Sequence, residues 1–452
     1  MRKIIFSQPA ARTALGLEAA EIADLPDMPQ ADDVRDDVQD DAAAMDQIAT
    51  EAFTLLTRIA ALEDIAEVIE TQVQEARPSD VVLVDIATDL ATDGTDAAEG
   101  DVTPGLESAL GGTISTEGIL EAAKKFVGAV YDRLKAFLDR FKAFLGSAKA
   151  LVRVEKRRLK TLASAAEKME DSSDKTIVVG NQLARLCVGG KVPKNNADVV
   201  NALKSIAKDA GVVAGTVLEI GHNYVSKVTT AFGSQSNRHD LATELVSIVR
   251  EVGAKYVAVA NHGKLKGASG YDATIVADFG SYRLMNLWPE VMNTLENKDA
   301  SDVAILNKAY YIGGWSTDFW LDSNENFGGV AKEAKSAELP AASKKEVHAV
   351  LDAALAALDV VEKSFSKYDR AWSDSDRVYM IYGTFGWTEK TRANKGIGLS
   401  IMHNACFPVY ATIRELAKSV GAAMKYAEKS IKAAGVKVES GDAPELETVP
   451  AV

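Results

Sequence analysis

The residues of this chain best suited to chemistry near neutral pH are five histidines, His222, His239, His262, His348 and His403, and two cysteines, Cys187 and Cys406. Their spacing supports little. No HExxH pair and no CxxC pair occurs, so neither a metal site nor a disulfide framework is expected. Cys406 and His403 stand three residues apart, which on a helix puts thiol and imidazole on one face, as a nucleophile and its base would need. A cysteine on an apolar helix is far more often core, and that reading is favoured for Cys406 as for Cys187. GxGxxG, P-loop and GxSxG runs are missing from the sequence, so no catalytic residue, cofactor or small-molecule substrate is expected. Tyr310, Tyr311, Trp315, Phe319, Trp320 and Trp387 could stack on bases or sugars. Interleaved with Gly313, Gly314, Gly328, Gly329 and Gly386, they read better as rings packing a core or interface.

A different chemistry is suggested at Ser115-Thr116-Glu117-Gly118, where the expected reaction is hydrolysis of the chain itself. The pattern is a small residue, a free position and a glutamate, and alone it is a weak signal. Ser336-Ala337-Glu338 and Ala165-Ala166-Glu167 share it. Position separates the copies, because a protease needs an extended, accessible chain and only the first sits in a linker where the charge changes sign. Residues 1–117 carry 26 Asp and Glu against 6 Lys and Arg, a net of −20. The whole chain has 65 acidic and 51 basic residues, so 118–452 hold 39 and 45, a net of +6. Opposite signs in the two parts imply two environments, or two successive ones.

The elements around this boundary follow from composition and periodicity. Residues 7–43 are rich in Ala, Asp and Pro and are expected to be disordered. From 44 to 75, Ile48, Phe53, Leu56, Ile59, Leu62 and Ile69 recur at helical spacing, and 78–117 return to linker composition. Residues 118–170 predict a long basic amphipathic helix, with Ile119, Phe126, Val130, Leu134, Phe137, Phe141 and Phe144 forming its apolar stripe. Its 13 basic side chains against 6 acidic ones include the candidate DNA contacts Lys124, Lys125, Lys149, Arg153, Lys156, Arg157, Arg158 and Lys160. Taken alone, such a cluster is more often an ordinary solvated face.

Residues 171–434 read as a mainly α globular domain with short strands, and 435–452 as a flexible tail. Helices are expected over 197–208, 211–231, 238–254, 343–368 and 396–434. Strands are expected at 256–260, 274–278 and 378–382, and a loop or turn at 313–320. The fold class is therefore mainly α, or α+β with minor β, behind a disordered and helical acidic leader. No run of 18 or more uncharged apolar residues occurs and the N-terminus lacks a secretory pattern, so a soluble protein made in a cytoplasm is expected.

An acidic helical leader, Ser115-Thr116-Glu117 followed by Gly118-Ile119-Leu120, and then a basic Phe/Leu-rich helix resemble the internal head proteins of giant tailed bacteriophages. The resemblance is carried by residues 1–170, with looser agreement in general character over 171–452, including the Gly189-Gly-Lys-Val-Pro193 turn and the long C-terminal helix. It implies a virion structural protein made in the host cytoplasm and enclosed in the capsid with DNA. It further implies that the prohead protease removes 1–117 as a propeptide, and that capsid or prohead core components are partners.

The physics agrees with that reading. An acidic precursor does not compete for nucleic acid, whereas a cationic product binds packaged DNA non-specifically through counterion release. A basic helix with a phenylalanine stripe also fits a membrane surface, as an effector ejected with the DNA would require. Core packing of that stripe is the favoured alternative, since the downstream helices need apolar partners.

Overall fold

A helix of 50 residues, α1 (Glu117–Ala166), is the longest element among the described residues. The computed structural model describes residues 37–45, 47–48, 51, 117–170, 175–187, 189, 191–234, 238–265, 272–280, 282–297, 300, 302, 305–306, 309, 315–319, 338–385 and 397–438, some by backbone alone. The described residues are mainly α with two small sheets. The apolar stripe of α1 is buried from Val130 through Phe137, Phe141, Phe144 and Leu151 to Leu162, so this helix lies within the body and not beside it.

After α1 come β1 (Thr176–Val178), a 3-10 turn (Gly180–Leu186) and α2 (Asn196–Val212). Asn195 caps α2, its side chain accepting from the backbone N–H of Asp198. A π-helical turn at Val213–Val217 joins α2 to α3 (Leu218–Ser234) and keeps Val213, Ala214 and Val217 facing the core. Then follow α4 (Arg238–Ala258), β2 (Lys264–Leu265), β3 (Ala273–Asp278), β4 (Tyr282–Asn286), α5 (Trp288–Glu296), β5 (Trp315–Phe319) and β6 (Glu338–Pro340). Two long helices, α6 (Lys344–Phe385) and α7 (Ile397–Ala433), complete the order.

The core layer is α1, α6 and α7. Stacked Tyr131 and Tyr379 at one end, Trp372 Nε1 donating to Leu138 O, and Lys344 reaching Glu167 at the other end set α1 and α6 antiparallel. That contact runs for about 54 Å at 1.5 Å per residue. α7 packs on both, and the α2–α3 rod lies against α6. β2–β3–β4–β5 form an antiparallel sheet with an irregularity between Ile275 and Ala277, while β1 pairs with β6 through Ile177 and Leu339. Every residue of β3 and β4 is buried, which explains why their sequences show no alternation.

Several expectations need correction. Residues 37–43, expected to be disordered, are helical, because Val38 and Ala42 find buried positions in the core. Residues 256–258, read as strand, end α4, and Tyr256 is fully buried there. Residues 378–382, also read as strand, belong to α6, where Val378 faces the core. The reverse error occurred at 315–319, which pair along β4 as a strand where a loop or turn was expected. Gly435, with φ of +85°, closes α7, and Val436 and Val438 fold back on the core, so the first residues of the expected flexible tail are packed.

One turn fixes its residue type. Gly280 joins β3 to β4 with φ of +76°, and a Cβ there would sit 2.2 Å from the Arg185 carbonyl oxygen. Gly280→Ala is expected to lower stability by about 2–3 kcal/mol, from left-handed strain plus overpacking. A urea midpoint unchanged from wild type would contradict this.

Candidate functional site

The two features singled out by the sequence, the Ser115–Gly118 boundary and the basic helix, meet at the start of α1. Ser115 and Thr116 lie outside the described residues, whereas Glu117 and Gly118 are the first two residues of the helix. The proposed scissile bond therefore falls between the first two described residues of the helix. The other copy in α1 is placed differently: Ala165 and Ala166 are buried at the far end. Glu338 of the Ser336-Ala337-Glu338 copy opens β6, paired with Val178.

Lys124 and Lys125 occupy the helical part of α1 whose side chains are not described. Of the remaining candidates, three bridge helices. Lys149 Nζ lies 3.0 Å from both carboxylate oxygens of Asp369 and over the Phe365 ring. Lys156 reaches Asp359 and Glu362 at 2.5 Å each. Burial works against its charge, but the hydrogen bonds to these carboxylates prevail and hold its pKa above the usual lysine value. Arg158 meets Glu428 of α7 at 3.3 Å. Arg153, Arg157 and Lys160 are exposed and recur at four and three residues, which places them on one outward face. The eight candidates thus do not form one surface.

Two basic residues outside the candidate set pair with described residues of the leader. Arg140 pairs with Asp41 at 2.8 Å and Arg133 with Glu51 at 2.8 Å. Asp359, Glu362 and Asp369, the acidic partners on α6, were also missed. Their signal is present: they recur at three and seven residues on one helical face, matching the seven-residue step from Lys149 to Lys156.

Beyond α1, a polar cluster around a buried aspartate contains acid–base groups. Asp209, at the end of α2 and 1% exposed, accepts from His262 Nε2 at 2.6 Å, Asn261 Nδ2 at 2.9 Å and the backbone N–H of Asp278 at 2.8 Å. Asp278 in turn accepts from Gly189 N, so the cluster ties α2, β3 and the turn at 189 together. The bond to Asp209 holds the His262 pKa above its ordinary 6.5. A raised histidine contributes stability fully below that ordinary value and loses it as pH climbs through the raised one. The melting temperature is accordingly expected to fall across this window in the wild type, and to fall less in His262→Gln. Parallel pH profiles for the two proteins would contradict the assignment.

Cys406 is fully buried, 3.2 Å from Ser375 Oγ, and burial pushes its thiol up to about 12. It is held as a neutral core residue, unsuited to nucleophilic work. The side chains of His403 and of the aromatic group Tyr310, Tyr311, Trp315, Phe319, Trp320 and Trp387 lie outside the described residues. No described helix is long and apolar enough to cross a membrane.

Comparison with known proteins adds one positive finding. A family model described as phiKZ-like phage internal head proteins matches residues 30–380, across both the leader and the body. No curated protein and no solved structure matches the chain.

Proposed function

Given that the chain belongs to the phiKZ-like phage internal head proteins, and so is a virion structural protein of the head interior, we propose that it is made in the host cytoplasm as a precursor. The prohead protease cuts it after Glu117 during head maturation. The acidic leader serves assembly, engaging capsid or prohead core components, and the 118–452 product stays with the packaged DNA. The role is structural and binding, with no reaction performed by this chain.

The observation that carries this reading is a coincidence of boundaries. The sign of the charge changes at residue 117, and the described residues of α1 run from that same position. Cutting there takes only Glu117 from the described length of the long core helix. Intact-mass analysis of the protein from purified particles tests it: the expected species starts at Gly118, and a full-length mass there would overturn the processing.

For DNA, Arg153, Arg157 and Lys160 offer the outward-facing basic row. Protein recovered from particles is expected to bind duplex DNA with an affinity that falls steeply with salt. Replacing Arg153 and Lys160 together by glutamine is expected to reduce the slope of log K against log salt by roughly 2. Binding indifferent to salt would contradict the counterion mechanism. The membrane-effector alternative fits less well, because Phe137, Phe141 and Phe144 are consumed in the core. To insert at a membrane surface, α1 would first have to leave the bundle.

A further inference from the structure

We propose that residues 37–51 of the leader form a built-in ligand for a docking face on α1, so that cutting after Glu117 nicks the chain without freeing the leader. The contact is made of two layers. Val38, Ala42 and Met45 recur at four and three residues along one helical face, are 0% exposed, and belong to the same core cluster as Val130, Leu134 and Phe137 of α1. Ile48 continues the stripe as a half-buried neighbour. Beside it, Asp41 pairs with Arg140 at 2.8 Å and meets Ser147 Oγ at 3.5 Å, while Glu51 pairs with Arg133 at 2.8 Å. Moving ten residues up the leader moves the partner seven residues down α1, so the two run antiparallel, with the paired arginines spanning about 10 Å of α1.

The apolar layer dominates. Burial, with Asp37 and Asp40 adding to it, raises the carboxyl pKa of Asp41 despite Arg140 beside it, so the charged pair contributes little to the contact. The Arg133–Glu51 pair is largely exposed, at 49% and 38%, and is screened by salt. Three fully buried apolar side chains are indifferent to screening, and a bound leader would survive ionic strength that strips DNA. It would also keep Arg133 and Arg140 occupied until a second event, such as displacement by a competing acidic amphipathic helix, removes it.

The inference uses the processing reading only for its consequence in the head, and its test is independent of it. A site for a sequence-specific protease is placed within residues 100–114 of the full chain, which is then cut and run on gel filtration in about 0.5 M salt. Both fragments are expected to elute together. A synthetic peptide of residues 34–54 in excess is expected to displace the leader. The same peptide carrying Met45→Asp is expected to need at least about tenfold more for the same displacement, and the one carrying Asp41→Asn less than about threefold more. Because the variants reside in the competitor, the folding of the cut protein is unaffected. Fragments that separate at once, or a Met45→Asp peptide as effective as the native one, would overturn the docking face. Particle mass reads the natural cut and co-elution reads the docking, so each can fail without the other.

Discussion

Replacing Trp288 with alanine is expected to lower the unfolding free energy by about 3–5 kcal/mol, the range for emptying a buried indole site. Trp288 is 0% exposed and opens α5, with Pro289 following in the first turn, where no donor is lost. Its backbone N–H donates to Asn286 Oδ1 at 2.8 Å, and its indole N–H donates to Asn404 Oδ1 at 3.1 Å on α7. The ring stacks on Tyr256 with centroids 5.4 Å apart and meets Tyr224 edge-on at 5.9 Å. Gly253 of α4 makes room, since a Cβ there would lie 3.0 Å from the indole and 2.8 Å from Met292 Sδ. Truncation would open a cavity between α3, α4, α5 and α7 and strip Asn404 of a donor in a buried setting. Trp288→Phe restores most of the volume but not the N–H, so a smaller loss of about 1–2 kcal/mol is expected. Guanidinium unfolding distinguishes the two. Equal losses would show that the hydrogen bond to Asn404 dominates and the packing argument fails.

Glu415→Ala is expected to cost about 3 kcal/mol, the lower end for breaking a buried ion pair, by leaving three half-buried cations without their carboxylate. Glu415 on α7 is 1% exposed and is approached by Arg414 Nε at 2.8 Å, Lys418 Nζ at 2.8 Å and Arg185 at 3.4 Å. Arg414 also donates to Tyr282 Oη at 2.5 Å, and Ser419 Oγ donates to the Arg185 carbonyl. The carboxylate thus holds the 3-10 turn, β4 and α7 together. Burial already lowers the Lys418 pKa, with Glu415 opposing that shift. In the alanine variant Lys418 loses this support and sheds its proton more easily. Its deficit relative to wild type should shrink as pH rises toward 10, measured by urea unfolding at several pH values. A deficit constant with pH would show that packing, and not charge, sets the loss.

The resemblance of residues 1–170 to internal head proteins of giant tailed phages was legible from the order of charge and periodicity. The family match over 30–380 bears it out and extends into the body, where the sequence showed general character only. The long helices were legible for a related reason. The stripe of α1, and that of α6 through Val347, Val350, Leu351, Leu355, Leu358 and Val361, repeats every three or four residues, and burial follows it except at Leu355, which is 37% exposed. Residues 256–258 and 378–382 misled because Tyr, Val and Ile suit any half-buried surface, and β propensity is decided by neighbours. At 315–319 the opposite held: pairing with β4 made a strand from a run with no alternation of its own.

By itself the sequence determined the sign reversal at residue 117, the mainly α class and the apolar faces, because charge count and helical period are local properties of the chain. Only the tertiary structure decided how the basic helix uses its charges. Lys149, Lys156 and Arg158 meet Asp369, Asp359, Glu362 and Glu428, all more than 200 positions away, while Arg153, Arg157 and Lys160 face outward. It also turned residues 37–43 from an acidic, disordered-looking run into a helix on α1. An isolated segment of that composition buries too little apolar surface to offset its ordering entropy, and only the waiting face of another helix changes the balance.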